Sequence, residues 1–73
     1  MIEDAKLILV DILNIALETS DYFDFCVHEY KVSLIFDTDT ECQKFYESAK
    51  ETPDVFVLTD MNIDENCIDI YLK

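Results

Sequence analysis

Residues 22–36, YFDFCVHEYKVSLIF, decide the fold. Apolar side chains recur at every second position on either side of a polar His28-Glu29 pair: Phe23, Phe25 and Val27 before it, Tyr30, Val32 and Leu34 after it. Period two marks a strand with one buried face, because successive side chains point to opposite sides of the sheet. A turn at His28-Glu29 predicts a hairpin with Val27 opposite Tyr30, Phe25 opposite Val32 and Phe23 opposite Leu34. His-Glu lacks the Asn-Gly chemistry of tight turns, and a bulge in one long strand is the competing reading.

Upstream, the period changes. Ile2, Ala5, Leu9, Ile12, Leu13 and Ala16 recur at helical spacing over residues 2 to about 19, and Leu7, Val10 and Leu17 widen the apolar face. A face this broad predicts packing against a sheet on one side and a second helix or chain on the other. Its polar stripe is narrow and acidic: Asp4, Asp11 and Glu18 lie seven residues apart on nearly one line.

Downstream, Thr38-Asp39-Thr40-Glu41 is a capping box, with a hydroxyl and a carboxylate placed to satisfy amide donors at a helix start. A helix from about 39 to 51 follows, with Cys42, Phe45, Tyr46 and Ala49 as its buried stripe. It ends at Thr52-Pro53, because the residue before proline avoids helical geometry. Residues 55–60 and 67–72 read as a second hairpin around Asn62-Ile63-Asp64-Glu65, with Val55, Val57 and Thr59 facing Leu72, Ile70 and Ile68. With no glycine, one proline, no linker and no repeat, residues 1–73 form a single domain. The predicted fold class is α+β: a two-layer sandwich of αββαββ order, four antiparallel strands with two helices on one face.

Composition narrows the function. Seventy-three residues leave no room for a second lobe or an enclosed cleft, which excludes most enzyme architectures. At 51% hydrophobic residues the chain buries a core, so its acidity sits on a folded body. Seventeen Asp and Glu against five basic residues, all lysine, give a formal charge of -12. That field repels nucleic acid and anionic membranes and speeds encounter with basic partners. Cys26, Cys42 and Cys67 are odd in number and irregular in spacing, which suits free thiols in a reducing cytosol. The Met1-Ile2-Glu3-Asp4 start lacks the positive flank of a secretory signal, and Asp11 interrupts the longest apolar stretch, so neither export nor membrane insertion is expected.

Chemistry-bearing constellations are few. His28 and Cys26 share a strand face, but such neighbours stand about 6 to 7 Å apart, too far for a direct hydrogen bond. The stretches starting at Asp37 and Asp60 carry oxygen donors at alternate positions, as a calcium loop does. They place Cys42 and Glu65 where the loop needs glycine, and Ser48 and Tyr71 where it needs glutamate. No metal and no cofactor is expected, and no catalytic residue is assigned. Tyr22, Tyr30, Tyr46 and Tyr71 offer rigid contact area for an interface, with at least two of them expected in the core. What remains is the acid itself, present in every segment. At about 1.5 Å rise per residue the helix stripe spaces its carboxylates roughly 10 Å apart, so flanking acids must complete a phosphate-like array.

In size, lack of glycine, lack of arginine and carboxylates spread over an αβ body, the chain resembles the small acidic phage proteins that block host nucleases: the anti-restriction and anti-CRISPR inhibitors that mimic DNA. The resemblance covers the whole chain and is compositional. Bacterial immunity proteins, which cap the basic active sites of toxic nucleases, share the same character. It implies a non-enzymatic cytoplasmic inhibitor whose partner is a basic nucleic-acid-binding protein, a nuclease or effector complex, with no direct nucleic-acid or membrane binding. The partner-binding residues expected are Asp4, Asp11, Glu18, Asp21 and Asp24, then Asp37, Asp39 and Glu41. The alternative is a small regulatory or structural subunit that docks or forms a homodimer through the apolar face of the first helix, its acid serving solubility.

Overall fold

The computed structural model describes the backbone from Ile2 and the side chains from Ile8 to the C-terminus. The predicted contributions of Ile2, Asp4, Ala5 and Leu7 to the first helix's faces lie outside the described side chains. The chain runs α1 (Ile2–Thr19), β1 (Phe23–His28), β2 (Lys31–Phe36), α2 (Asp39–Lys50), α3 (Pro53–Leu58), β3 (Thr59–Asp64), β4 (Cys67–Leu72). The strands form one antiparallel sheet in the order β1-β2-β4-β3, with the helices on one side of it. The predicted α+β sandwich is the observed architecture, with a third, short helix added.

Burial alternates as period two demands. Val32, Leu34 and Phe36 of β2 and Ile68 and Ile70 of β4 are buried beneath the helices, while Ser33, Ile35, Asp69 and Tyr71 belong to the opposite, helix-free face. Helix α2 lies across β2, β4 and β3 and inserts Cys42, Phe45 and Ala49. Helix α1 packs on α2 and α3 and buries Ile8, Ile12 and Ala16. Of the four tyrosines, Tyr46 packs partly against this core. Tyr22, Tyr30 and Tyr71 are exposed, against the expectation that at least two would be interior.

The capping box forms in altered wiring. The Thr38 hydroxyl accepts the Glu41 amide at 3.2 Å, but the Glu41 carboxylate, instead of reaching back to an amide, accepts from the hydroxyls of Thr38 and buried Ser20. Ser20 also accepts the Tyr22 amide at 3.2 Å, so one polar cluster fixes the exit of α1, the entry to β1 and the start of α2.

Both hairpins depart from the predicted registers. In the first, Val27 pairs with Val32, Phe25 with Leu34 and Phe23 with Phe36, around a turn at Glu29-Tyr30 instead of His28-Glu29. A shift of two partners preserves every face, which is why the alternation was legible while the turn was not. In the second, α3 (Pro53–Leu58) takes residues 55–58, the first part of the strand expected over 55–60. Val55-Phe56-Val57-Leu58 is an unbroken apolar run, and periodicity alone cannot assign such a run to strand or helix. Pro53 at the first helical positions and Asp54 in the first turn decide it for helix. Thr52 remains extended, and α2 ends before it as expected. The strand therefore begins at Thr59, pairing Thr59 with Leu72, Met61 with Ile70 and Ile63 with Ile68, and the turn moves to Glu65-Asn66. Asn66 secures that corner: its side chain donates to the Phe36 carbonyl at 2.6 Å and its own carbonyl accepts the Phe36 amide at 2.8 Å.

Without glycine, each turn places a glutamate at positive φ, Glu29 at 54° and Glu65 at 55°. An L-residue there costs about 1–2 kcal/mol. Glu65→Gly relieves this and loses part of the gain to greater freedom of the unfolded chain. The expected net result is about 0.5–1 kcal/mol of added stability, read as a higher urea midpoint at unchanged slope. A lower midpoint would show that the Glu65 side chain stabilises its turn by more than its backbone strain.

Candidate partner-binding surface

Helix α2 repeats acid or amide at every fourth position, Asp39, Gln43, Glu47 and Glu51, which places them along one exposed line of the helix. The packing of α1 on α2 brings the last turn of α1 alongside, and an open groove forms between them. It is lined by Glu18 and Thr19 from one wall and by Asp39, Thr40, Gln43, Lys44, Glu47, Ser48 and Glu51 from the other. Four carboxylates face one ammonium. Gln43 holds Glu47 in place through a 2.9 Å hydrogen bond. Along the helix axis Asp39, Glu47 and Glu51 stand roughly 12 and 6 Å apart, and Glu18 adds a carboxylate from the opposite wall of the groove.

Two of these acids sit where the fold does not favour them. Glu18 occupies the last turn of α1, which holds no basic residue, and Glu51 is the C-cap of α2. A helix C-terminus carries partial negative charge, so a carboxylate there is unfavourable by about 0.3–1 kcal/mol at an exposed site. Among the described residues the ion pairs are Lys31 with Asp69 at 3.7 Å and Lys73 with Asp60 at 3.4 Å, and neither touches the groove.

The expected site residues are thus divided. Glu18 and Asp39 meet in the groove. Asp11 is half-buried, and Asp21 and Asp37 are exposed in the connections flanking β1 and β2. Asp24 lies on β1, an outer strand, at a position pointing away from the helices. Glu41 is half-buried and engaged by Ser20 and Thr38, a structural role that leaves it poorly placed for a partner. The Asp4 side chain lies outside the described residues. Glu47 and Glu51 join the site from outside the expected set. Their signal was the four-residue repeat from Asp39, visible in sequence but overshadowed by the seven-residue stripe on α1.

Other chemistry is sparse. Cys42 is buried in the core, and burial first, then the neighbouring charges of Cys67 and Asp39, pushes its thiol up to about 11. Cys67 is shifted upward as well, by burial and then by Asp69 and Asp64. Both thiols are held in the protonated, weakly nucleophilic form near neutral pH. Among the described residues no three His, Cys, Asp or Glu side chains converge to hold a metal ion, and no helix is long and apolar enough to cross a membrane. Compared with protein-family models, curated proteins and solved structures, the chain matches none.

Proposed function

We propose that this protein is a non-enzymatic, cytoplasmic inhibitor of DNA-mimic type, in the manner of the phage anti-restriction and anti-CRISPR proteins. It would occupy the basic nucleic-acid-binding surface of a nuclease or effector complex. The observation that carries the reading is the α1–α2 groove, where Glu18, Asp39, Glu47 and Glu51 cluster on a body of charge -12. Two of the four stand at helix C-termini, where they lower the fold's own stability. Attraction comes from charge pairing with Lys and Arg and from the counterions released on both sides, and inhibition comes from occlusion without turnover.

A second reading rests on α1. Val10 and Leu17 remain 53% and 61% exposed at seven-residue spacing, an apolar line suited to docking on another subunit or a second copy. Salt separates the two. A tagged pull-down from host lysate is made at low and high salt, with and without excess duplex DNA. The mimic is expected to retain a basic nucleic-acid-binding protein that both salt and DNA displace. A salt-resistant partner indifferent to DNA would overturn the mimic in favour of docking through α1.

A further inference from the structure

The two outer strands of the sheet are finished differently. On β3, the side chains beneath the helices are sheltered: Thr59 is buried and Met61 and Ile63 are packed against the core, with α3 leading directly into the strand. On β1, Phe23 packs partly against the core, but the two positions that follow on the same face are open. Phe25 is 55% and Val27 47% exposed, although both point to the helix side of the sheet.

The backbone of β1 is equally open. The two-residue turn makes His28 and Lys31 the closing pair, which in such a hairpin exchanges both ladder bonds. Alternation then directs the amides and carbonyls of Cys26 and Asp24 toward β2, and those of Phe23, Phe25 and Val27 away from the sheet. Two of the three residues with outward hydrogen-bonding groups, Phe25 and Val27, therefore also carry uncovered apolar side chains, while Phe23 packs partly against the core. Several protections of an edge are missing: β1 has no proline, no lysine and no bulge in its six consecutive pairs, and its charged residue is a single aspartate, Asp24. Around it stand exposed acids, Asp21, Asp24, Glu29 and Asp37.

We propose that β1 is a strand-addition edge for an extended segment of a partner protein in which apolar and basic residues alternate. The added strand pairs its backbone with the outward groups of Phe23, Phe25 and Val27. It lays its apolar side chains against Phe25 and Val27 and its basic side chains on the helix-free side beside Asp24. A second copy of this chain is the poorer occupant, because β1 against β1 would join two bodies each of charge -12. This surface is separate from the α1–α2 groove and does not require the mimic reading.

The test uses the full chain labelled for NMR and a capped ten-residue peptide of alternating lysine and valine. A block peptide of five lysines and five valines and an alternating peptide with every second amide N-methylated serve as controls. The alternating peptide is expected to bind at least tenfold more tightly than either control and to protect the amides of Phe25 and Val27 from hydrogen exchange. Val27→Pro removes an outward donor that the fold does not use and is expected to weaken binding at least tenfold; should it unfold, the N-methylated peptide on the unaltered chain decides. Equal binding of alternating and block peptides, protection elsewhere than β1, or no binding would overturn the proposal. So would a dimer with β1 amides already protected before peptide is added. Glu18→Lys with Glu51→Lys should leave the preference for the alternating over the equally charged block peptide within about threefold, so loss of the groove's partner and loss of edge binding are read apart.

Discussion

Phe45→Ala is expected to remove about 3–5 kcal/mol of stability, a large part of what holds the chain folded at room temperature. Phe45 is fully buried on α2, which packs on β2, β4 and β3, and its ring lies 5.6 Å from that of Phe36 at the end of β2. A domain of this size holds in total about 4–11 kcal/mol by the usual per-residue scale, and this one carries the self-repulsion of -12 charges besides. The loss therefore competes with the whole margin. Urea denaturation followed by circular dichroism measures it, with Phe25→Ala as the contrast: the same side chain, more than half exposed, should cost far less. A loss below about 1 kcal/mol for Phe45→Ala would mean that α2 does not pack on the sheet as described.

The second large effect is on binding. Glu18→Lys together with Glu51→Lys reverses two groove charges and takes the net charge from -12 to -8. Exposed charge pairs are worth about 0.2–1 kcal/mol each, and reversal both removes the attraction and adds repulsion. Against a basic partner the expected loss is about 2–3 kcal/mol, roughly a hundredfold in affinity. Stability should move the other way, upward by a few tenths of a kcal/mol or more, because each lysine then stands at a helix C-terminus. Opposite movement of stability and affinity identifies carboxylates kept for a partner. Unchanged partner recovery with the fold intact would remove the groove from the mechanism.

Much of this architecture is legible in the chain because its signals are local. The α1 span follows from helical spacing, the start of α2 from Thr38 and Glu41, and the faces of β2 and β4 from strict alternation. The misreadings share one cause. Where apolar residues run on without interruption, as in Val55 to Leu58, or where a turn lacks glycine and asparagine chemistry, as at Glu29-Tyr30, local pattern leaves two solutions and tertiary packing chooses. The candidate site was only half visible for a related reason. Glu18 and Asp39 stand far apart in sequence and become neighbours through the packing of α1 on α2, while Glu41, alike in charge, turns inward to Ser20. Which edge of the sheet stays open was invisible, since it depends on how far the helices reach over β1.

The aromatic rings connect the surface to the interior. Phe25 lies 6.4 Å from Phe23, Phe23 5.7 Å from Phe36, and Phe36 5.6 Å from Phe45, a file that starts in solvent at the sheet margin and ends beneath α2. If neighbouring rings restrict one another's flipping, restraint applied at Phe25 is expected to reach Phe45 by contact, and ring-flip rates measured by NMR with and without a bound strand check this. The flip rate of Phe45, buried and out of reach of any ligand, would then serve as a gauge of whether the margin is occupied.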